Sequence, residues 1–388
     1  MQYDVIIVGG GLAGLYTAYL LPRHLKILLL EKRDLGGRVY TYHDSEMTVE
    51  TGALRFSQLH VHVMNLLKEF GLASKITRIP SYERTYVGSG EATRSVTAMV
   101  EYLQTNKKVK RTNTVTLGEY ATQVLGKHDA GYLKKAFGYT AEFDIMNAKD
   151  ALRLMTQHSQ TFHVLKGGLS QLVDKLKQRL GHVTFRKENV TDVRYVQRHF
   201  LVSTDSERVF TAPVCVLATP ASALHHFKVC SPLVPLLKQI ATSPLCKIYT
   251  MPKNGRFVKK IITDNNIKMI IPINKRVVLI SYTDADNAKR WKQVLDEEGV
   301  RGVNRKLRAG LTEIGMDTAV AHTQVFYWPQ GVGYWGLGAD SYETEKTLLH
   351  PYPNVPLYLC GSNFSAEHQQ WMEGALETAA KVIAKMKL

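Results

Sequence analysis

Cysteine is scarce in this chain, and the few present do not pair up. Cysteines 215, 230, 246 and 360 stand in 388 residues without short, repeated spacing. That pattern excludes a disulfide framework and a cysteine-type zinc site, and it points to a reducing compartment, so a cytoplasmic location is expected. Apolar runs of membrane-spanning length are also lacking, and no membrane partner is expected. The apolar stretch at residues 5–21 is interrupted by four glycines and has no basic leader, which argues against a signal peptide. There are no internal repeats, no low-complexity linkers and no nucleic-acid-binding motifs, so a nucleic-acid partner is not expected. His60, His62, His158, His163, His225, His226 and His368 show no metal or triad spacing and read as structural or surface residues, with no metal site.

Acidic residues are outnumbered, 34 against 50 Lys and Arg, for a formal charge of +16. Attraction of an anionic partner or substrate is one reading, and the denser cluster Lys107, Lys108, Lys110 and Arg111 fits it. A solvated basic surface is the plainer reading and is preferred. The length exceeds one ordinary core, so two intertwined domains are expected.

Local patterns supply the elements. Residues 4–8 form a short β-branched run ending at Gly9 and read as a buried strand. Residues 12–21 read as a helix stopped by Pro22, residues 25–30 as a second buried strand, and residues 59–70 as an amphipathic helix ended by Gly71. Residues 117–155 are mostly helical, residues 183–218 resemble a β-meander, and a mixed segment runs to about residue 335. A strand at 356–360 and a helix at about 370–386 close the chain.

Between the first strand and helix lies Gly9-Gly10-Gly11-Leu12-Ala13-Gly14, a G-x-G-x-x-G motif. Gly9 permits a tight turn, Gly11 lets the backbone approach a pyrophosphate, and Gly14 allows close helix–strand packing. The helix N-terminus offers unsatisfied N–H groups to phosphate. Glu31, about twenty residues on, is placed to accept hydrogen bonds from ribose hydroxyls. Strand, glycines, helix, strand and acid together specify a pocket for the ADP half of a dinucleotide. Leu35-Gly36-Gly37-Arg38 then favours FAD, because the glycines free the backbone and Arg38 can fork onto a diphosphate.

These segments resemble the flavin-containing amine oxidase superfamily of monoamine, polyamine and L-amino-acid oxidases. The likeness extends through residues 36–41 and 49–56, Gly167-Gly168-Leu169, Asn189-Val190, residues 216–220, residues 359–362 and residues 371–375. It implies an α/β, two-domain fold: a discontinuous Rossmann-like FAD-binding domain (1–60, 160–232, 338–388) and a mixed α+β substrate domain with a helical part (61–159, 233–337). It places FAD on Gly9, Gly11, Leu12, Ala13, Gly14, Glu31, Lys32, Gly37, Arg38, Gly52, Ala53, Leu54, Arg55, Val190, Thr219, Gly361, Ser362, Trp371 and Met372.

The resemblance also implies roles at the reacting centre. Lys247 matches a lysine that hydrogen-bonds through water to flavin N5 and assists reoxidation by oxygen. Tyr334 and Trp371 match the two rings of an aromatic cage before the flavin. Arg55 resembles the arginine that pairs with a substrate carboxylate in the L-amino-acid oxidase branch, an alternative being that it only braces the flavin or a nearby loop. Two positions depart from the pattern. Gly333 stands where monoamine oxidases carry the cysteine that bonds the flavin, so non-covalent FAD is expected. Ser362 replaces a common glutamate.

The implied reaction is hydride transfer from a neutral amine to flavin, with imine hydrolysis to carbonyl and ammonia and with O2 reoxidising the flavin to give peroxide. The partners are then a small amine or amino acid and O2. The residues single out no general-base carboxylate. Two other functions remain open: a different flavin oxidoreductase of desaturase or porphyrinogen oxidase type, and a catalytically silent FAD-binding interaction protein.

Overall fold

The computed structural model describes residues 2–79, 84–106, 112–157, 161–252, 257–316 and 319–386. The basic cluster at 107–111 and His158 lie outside the described residues.

A five-stranded parallel sheet carries the nucleotide motif. Across it run Leu357–Leu359, Val214–Leu217, Val5–Val8, Ile27–Glu31 and Thr184–Lys187. Its central strands are continuous apolar runs, apart from Glu31 at the end of one, because both faces are covered. Val5, Ile7, Leu29 and Val216 pack with helices Leu12–Leu20, Ser170–Arg179 and Met372–Lys385. Ile6, Val8, Leu28 and Leu30 join a second core with Phe200, Val202 and Phe210, a core that continues into the helical region of residues 96–157. Strand order reverses between Val5–Val8 and Val214–Leu217, so a crevice opens where Gly9 and Ala218 follow those strands. Such switch points are where open α/β sheets hold ligands.

The expected meander over 183–218 is smaller than its pattern suggests. Val190–Val196, His199–Thr204 and Val209–Ala212 form a three-stranded antiparallel sheet. The flanking Thr184–Lys187 and Val214–Leu217 instead join the parallel sheet. Val214–Leu217 is a continuous apolar run, which suits a strand covered on both faces better than a meander strand.

The second region is a six-stranded mixed sheet, ordered Val320–Trp335, Ile240–Pro252, Val278–Asp284, Met269–Pro272, Lys260–Thr263 and Arg84–Val87. A long helical stretch, Ala285–Glu313, kinks at Gly299 and packs Ala288, Trp291, Val303 and Leu307 on this sheet. Helix Val61–Glu69, assigned from sequence to the substrate domain, instead packs Val63, Leu66 and Leu67 into the parallel-sheet core. Its first N–H groups, at His62 and Val63, donate to the Glu373 carboxylate at 2.9 and 3.0 Å. This anchors it to the C-terminal helix by capping and by charge at a helix N-terminus. Among the described residues no helix is long and apolar enough to cross a membrane.

Candidate active site

A cavity of about 950 Å³ extends from the glycine loop into a chamber beside the six-stranded sheet. At its first end, Gly9 has φ 107°, a conformation that favours glycine, and a side chain there would meet the Ala218 carbonyl oxygen at 2.5 Å. Gly14 lies against the Gly9 carbonyl, which a methyl group would approach to 2.0 Å. Gly11 differs from both, because a Cβ there would meet nothing within 4 Å. It has no φ constraint of its own, and the space beside it belongs to the cavity. Leu12 and Ala13 open the following helix with no side-chain cap, leaving their N–H groups toward that space. The Glu31 carboxylate accepts from Gly10 N–H at 2.7 Å and Arg33 N–H at 2.8 Å, which holds the second strand end against the glycine turn.

The middle of the cavity has the chemistry of a diphosphate and sugar site. Arg38 is half-buried, and its desolvation lowers its pKa. Its guanidinium donates to the Gly331 carbonyl at 2.8 Å and to Ser362 Oγ at 3.0 Å. Both acceptors are neutral, so the positive charge is left to act on an anion. Thr219 Oγ1, Ser222 Oγ and Gln370 Nε2 are buried without partners among the described residues, and all three residues line the cavity. Unpaired buried polar atoms are costly, and a polar ligand would satisfy them. An open glycine, a charge-rich arginine and these orphaned groups fit FAD. Gly37, Lys32, Val190, Gly361, Ser362 and Met372 also line the cavity.

The far chamber is built from distant segments. Gly52 lies on the Arg38 backbone, where a Cβ would come within 2.1 Å of the carbonyl oxygen, and Ala53 N–H donates to that same oxygen at 2.9 Å. This loop directs Arg55 into the chamber, its guanidinium 4.2 Å from the Phe162 ring centroid and 5.8 Å from that of Trp371. Phe162 and Trp371 stack at 5.3 Å and 8°, so the parallel partner of Trp371 is Phe162. Tyr334 lines the same chamber and is 2% exposed. Burial raises its phenol well above the ordinary range.

Lys247 sits behind the loop and not on the cavity wall. It is fully buried, and its Nζ donates to the Gly52 carbonyl at 2.5 Å and the Glu50 carbonyl at 3.3 Å. Tyr249 Oη reaches the Glu50 carbonyl at 2.7 Å and Trp328 Nε1 the Thr51 carbonyl at 2.9 Å. Three side chains of the second sheet thus pin consecutive carbonyls of the loop that presents Arg55. Burial lowers the Lys247 pKa, aided by Arg55, and raises that of Glu50, so each moves toward its neutral form.

Comparison with known proteins follows the same division. A family model described as "NAD(P)-binding Rossmann-like domain" matches residues 7–70, and one described as "Flavin containing amine oxidoreductase" matches residues 116–383. The chain belongs to the flavin-containing amine oxidoreductase family. Its cofactor is FAD, and it is an oxidoreductase by family. The flavin-containing amine oxidase A of Canis lupus familiaris is 38% identical over 74 residues, which cover 18% of this chain and 14% of that protein. The alignment thus spans a small part of that relative's length. A solved putrescine oxidase bound to putrescine superposes with TM-score 0.77 at 17% identity, over 99% of this chain and 100% of the other. A putative protoporphyrinogen oxidase from Exiguobacterium sp. gives TM-score 0.73 at 19% identity, over 98% of each chain. At these identities the structural likeness is one of fold.

Within this family member, several cavity residues escaped the sequence reading. Tyr139, Glu142 and Tyr282 line the chamber, Trp328 lies along it, and Glu188 lines the nucleotide end just before the Asn189-Val190 pair. None belongs to a periodic pattern that marks a site. Glu142 falls in a helix of four residues, Ala141–Asp144, inside a stretch that reads as ordinary helix. Among the histidines, His62 and His368 are paired with Glu373 and Glu377, His60 packs its ring edge-on to Trp371, and His226 lines the cavity.

Proposed function

We propose that this flavoprotein oxidises a small primary or secondary amine, with an amino acid the favoured substrate, and uses O2 as acceptor. The observation that carries this is Arg55, a guanidinium held over two stacked rings in a chamber continuous with the dinucleotide cavity. Bound FAD would take hydride from the carbon bearing the amine and pass the electrons to oxygen. The chain supplies the rest. Arg55 offers two parallel charge-assisted hydrogen bonds to a carboxylate. Tyr334 and Trp371 line the path of the amine and exclude water from it. Lys247 keeps the loop at 50–55 in place from behind the cavity wall, and through that loop it would influence the flavin's reaction with oxygen.

The flavin is held without a covalent bond in this reading. Gly333 supports it, because glycine has no side chain to bond the flavin, and the Asn363 amide lies 2.1 Å from where a Cβ would stand. All four cysteines are buried and unpaired, which supports a reducing compartment.

A charged chamber suits a polar substrate better than a polyene, which disfavours a desaturase. The test is direct. Purified holoprotein mixed anaerobically with a panel of amino acids, monoamines and polyamines should lose its yellow colour with at least one of them and release peroxide on admitting oxygen. A flavin that no compound bleaches would leave a silent FAD-binding protein; bleaching by a porphyrinogen alone would move the assignment to that reaction.

A further inference from the structure

Opposite the glycine loop, the chamber contains a carboxyl group that the reaction above does not use. Glu142 lines the cavity, is 4% exposed, and shares the chamber with Tyr139, Tyr282 and Tyr334. Its position is fixed from below. The buried Asp284 carboxylate accepts from Thr140 N–H at 3.0 Å and Ala141 N–H at 2.8 Å, capping the turn that carries Glu142. Tyr139 and Tyr282 meet edge to face at 5.6 Å. Carboxyl and phenols therefore belong to a rigid wall joining the helical region to two strands of the second sheet.

Such a wall is a receptor for a cation. Phenol faces attract an ammonium group and a carboxylate accepts its N–H bonds, more strongly where water is excluded. Arg55 faces the same chamber with the opposite charge. One wall for an ammonium and one for a carboxylate match a zwitterion.

We propose that Glu142 receives the substrate's ammonium group and takes one proton from it. One N–H bond breaks and one O–H bond forms. The electron pair stays on nitrogen, so an ammonium and a carboxylate become a neutral amine and a carboxylic acid, with no net oxidation. That is the protonation state hydride transfer requires. This proposal deepens the amine oxidase reading and rests on it.

The charges around Glu142 are consistent with the role. Burial pushes its pKa up to about 8, Asp284 adds to the rise and Arg55 opposes it. Asp284 is itself raised by burial and drawn down by the Thr140 and Ala141 N–H groups and by Lys268, while Tyr139, Tyr282 and Tyr334 are all raised by burial. An acid with this pKa gains its proton-accepting carboxylate form as pH rises through about 8, and its basicity then comes close to that of an amine.

The experiment compares wild-type holoprotein with Glu142→Gln and Glu142→Asp, after melting temperature and flavin content show that each is folded and loaded. For the best substrate of the panel, wild-type kcat/KM should rise through about pH 8 and fall above the substrate's own amine pKa. Glu142→Gln should lose that rise and gain activity only as free amine appears, with a deficit near pH 8 of about 100-fold. Glu142→Asp should restore part of the rise. Binding gives a second readout. 2-Aminoisobutyrate, a zwitterion with no hydrogen on its amine-bearing carbon, should perturb the flavin spectrum without bleaching it, and should bind at least about tenfold more weakly to Glu142→Gln. Benzoate, with no ammonium, should bind both alike. Bleaching by no compound would overturn the oxidase reading. Normal bleaching with an unchanged pH profile and unchanged 2-aminoisobutyrate affinity would overturn the role of Glu142 alone.

Discussion

The two ends of the cavity are built on opposite principles. The nucleotide end uses backbone: Gly9, Gly11 and Gly14 lie within six residues, and their lack of side chains is the functional property. The chamber end uses side chains from segments far apart, with Arg55, Glu142, Tyr282, Tyr334 and Trp371 each on a different part of the chain. A backbone cradle can be specified locally, whereas a side-chain chamber exists only after the parallel sheet, helical region and mixed sheet have packed. Changes at the first end should therefore remove the cofactor, and changes at the second should alter which molecule reacts.

The largest effect is expected at Gly11. Its Cβ position is open, so Gly11→Val should fold, yet its methyl groups would occupy the approach to the diphosphate. FAD affinity should fall at least about 100-fold, roughly 2.7 kcal/mol, with the apo fold intact by circular dichroism. Retained flavin would break the division into a backbone end and a side-chain end. Arg55→Ala comes next. Flavin content should hold, kcat/KM for amino acids should drop by about 100-fold, and simple amines should change by less than about fivefold. Equal losses on both substrate classes would mean that Arg55 braces the loop and does not receive a carboxylate.

Lys247→Met probes the join between the two ends. Loss of its bonds to the Gly52 and Glu50 carbonyls should lower stability by about 1–3 kcal/mol in denaturant titrations. Oxygen-dependent reoxidation should slow several-fold in stopped flow, and an unchanged oxygen rate would confine Lys247 to holding the loop. The smallest effect belongs to His62, far from the chemistry. Its hydrogen bond with Glu373 raises the His62 pKa above the unfolded value. That contribution is fully present below the unfolded pKa and is lost as pH rises through the folded one. His62→Ala should then cost about 1 kcal/mol at pH 5.5, with a shrinking difference from wild type toward pH 9. A difference that grows with pH would reverse the assignment.

The legibility of the sequence follows the same line. Residues 5–31 could be read as strand, glycine turn, helix and strand because each signal is a short-range one: an apolar run, closely spaced glycines, a proline stop, a carboxylate at strand end. The parallel membership of Thr184–Lys187 was not legible, since its half-exposed alternation also suits an antiparallel edge. Helix Val61–Glu69 had a clear amphipathic stripe, but nothing local told which core would receive it, and Glu373 decides that from 310 residues away. At the chamber, Arg55 could be singled out only through its neighbours in a recognisable motif. Glu142 had no such neighbours.

The sequence by itself determined that this protein has a dinucleotide pocket, because a backbone cradle needs only contiguous glycines between a strand and a helix. It also marked the family segments that make the dinucleotide FAD. The tertiary structure alone decided what faces the reacting end. Burial and Coulomb interactions there depend on distances between residues such as Arg55, Glu142 and Asp284, which are separated along the chain and become neighbours only in the folded protein.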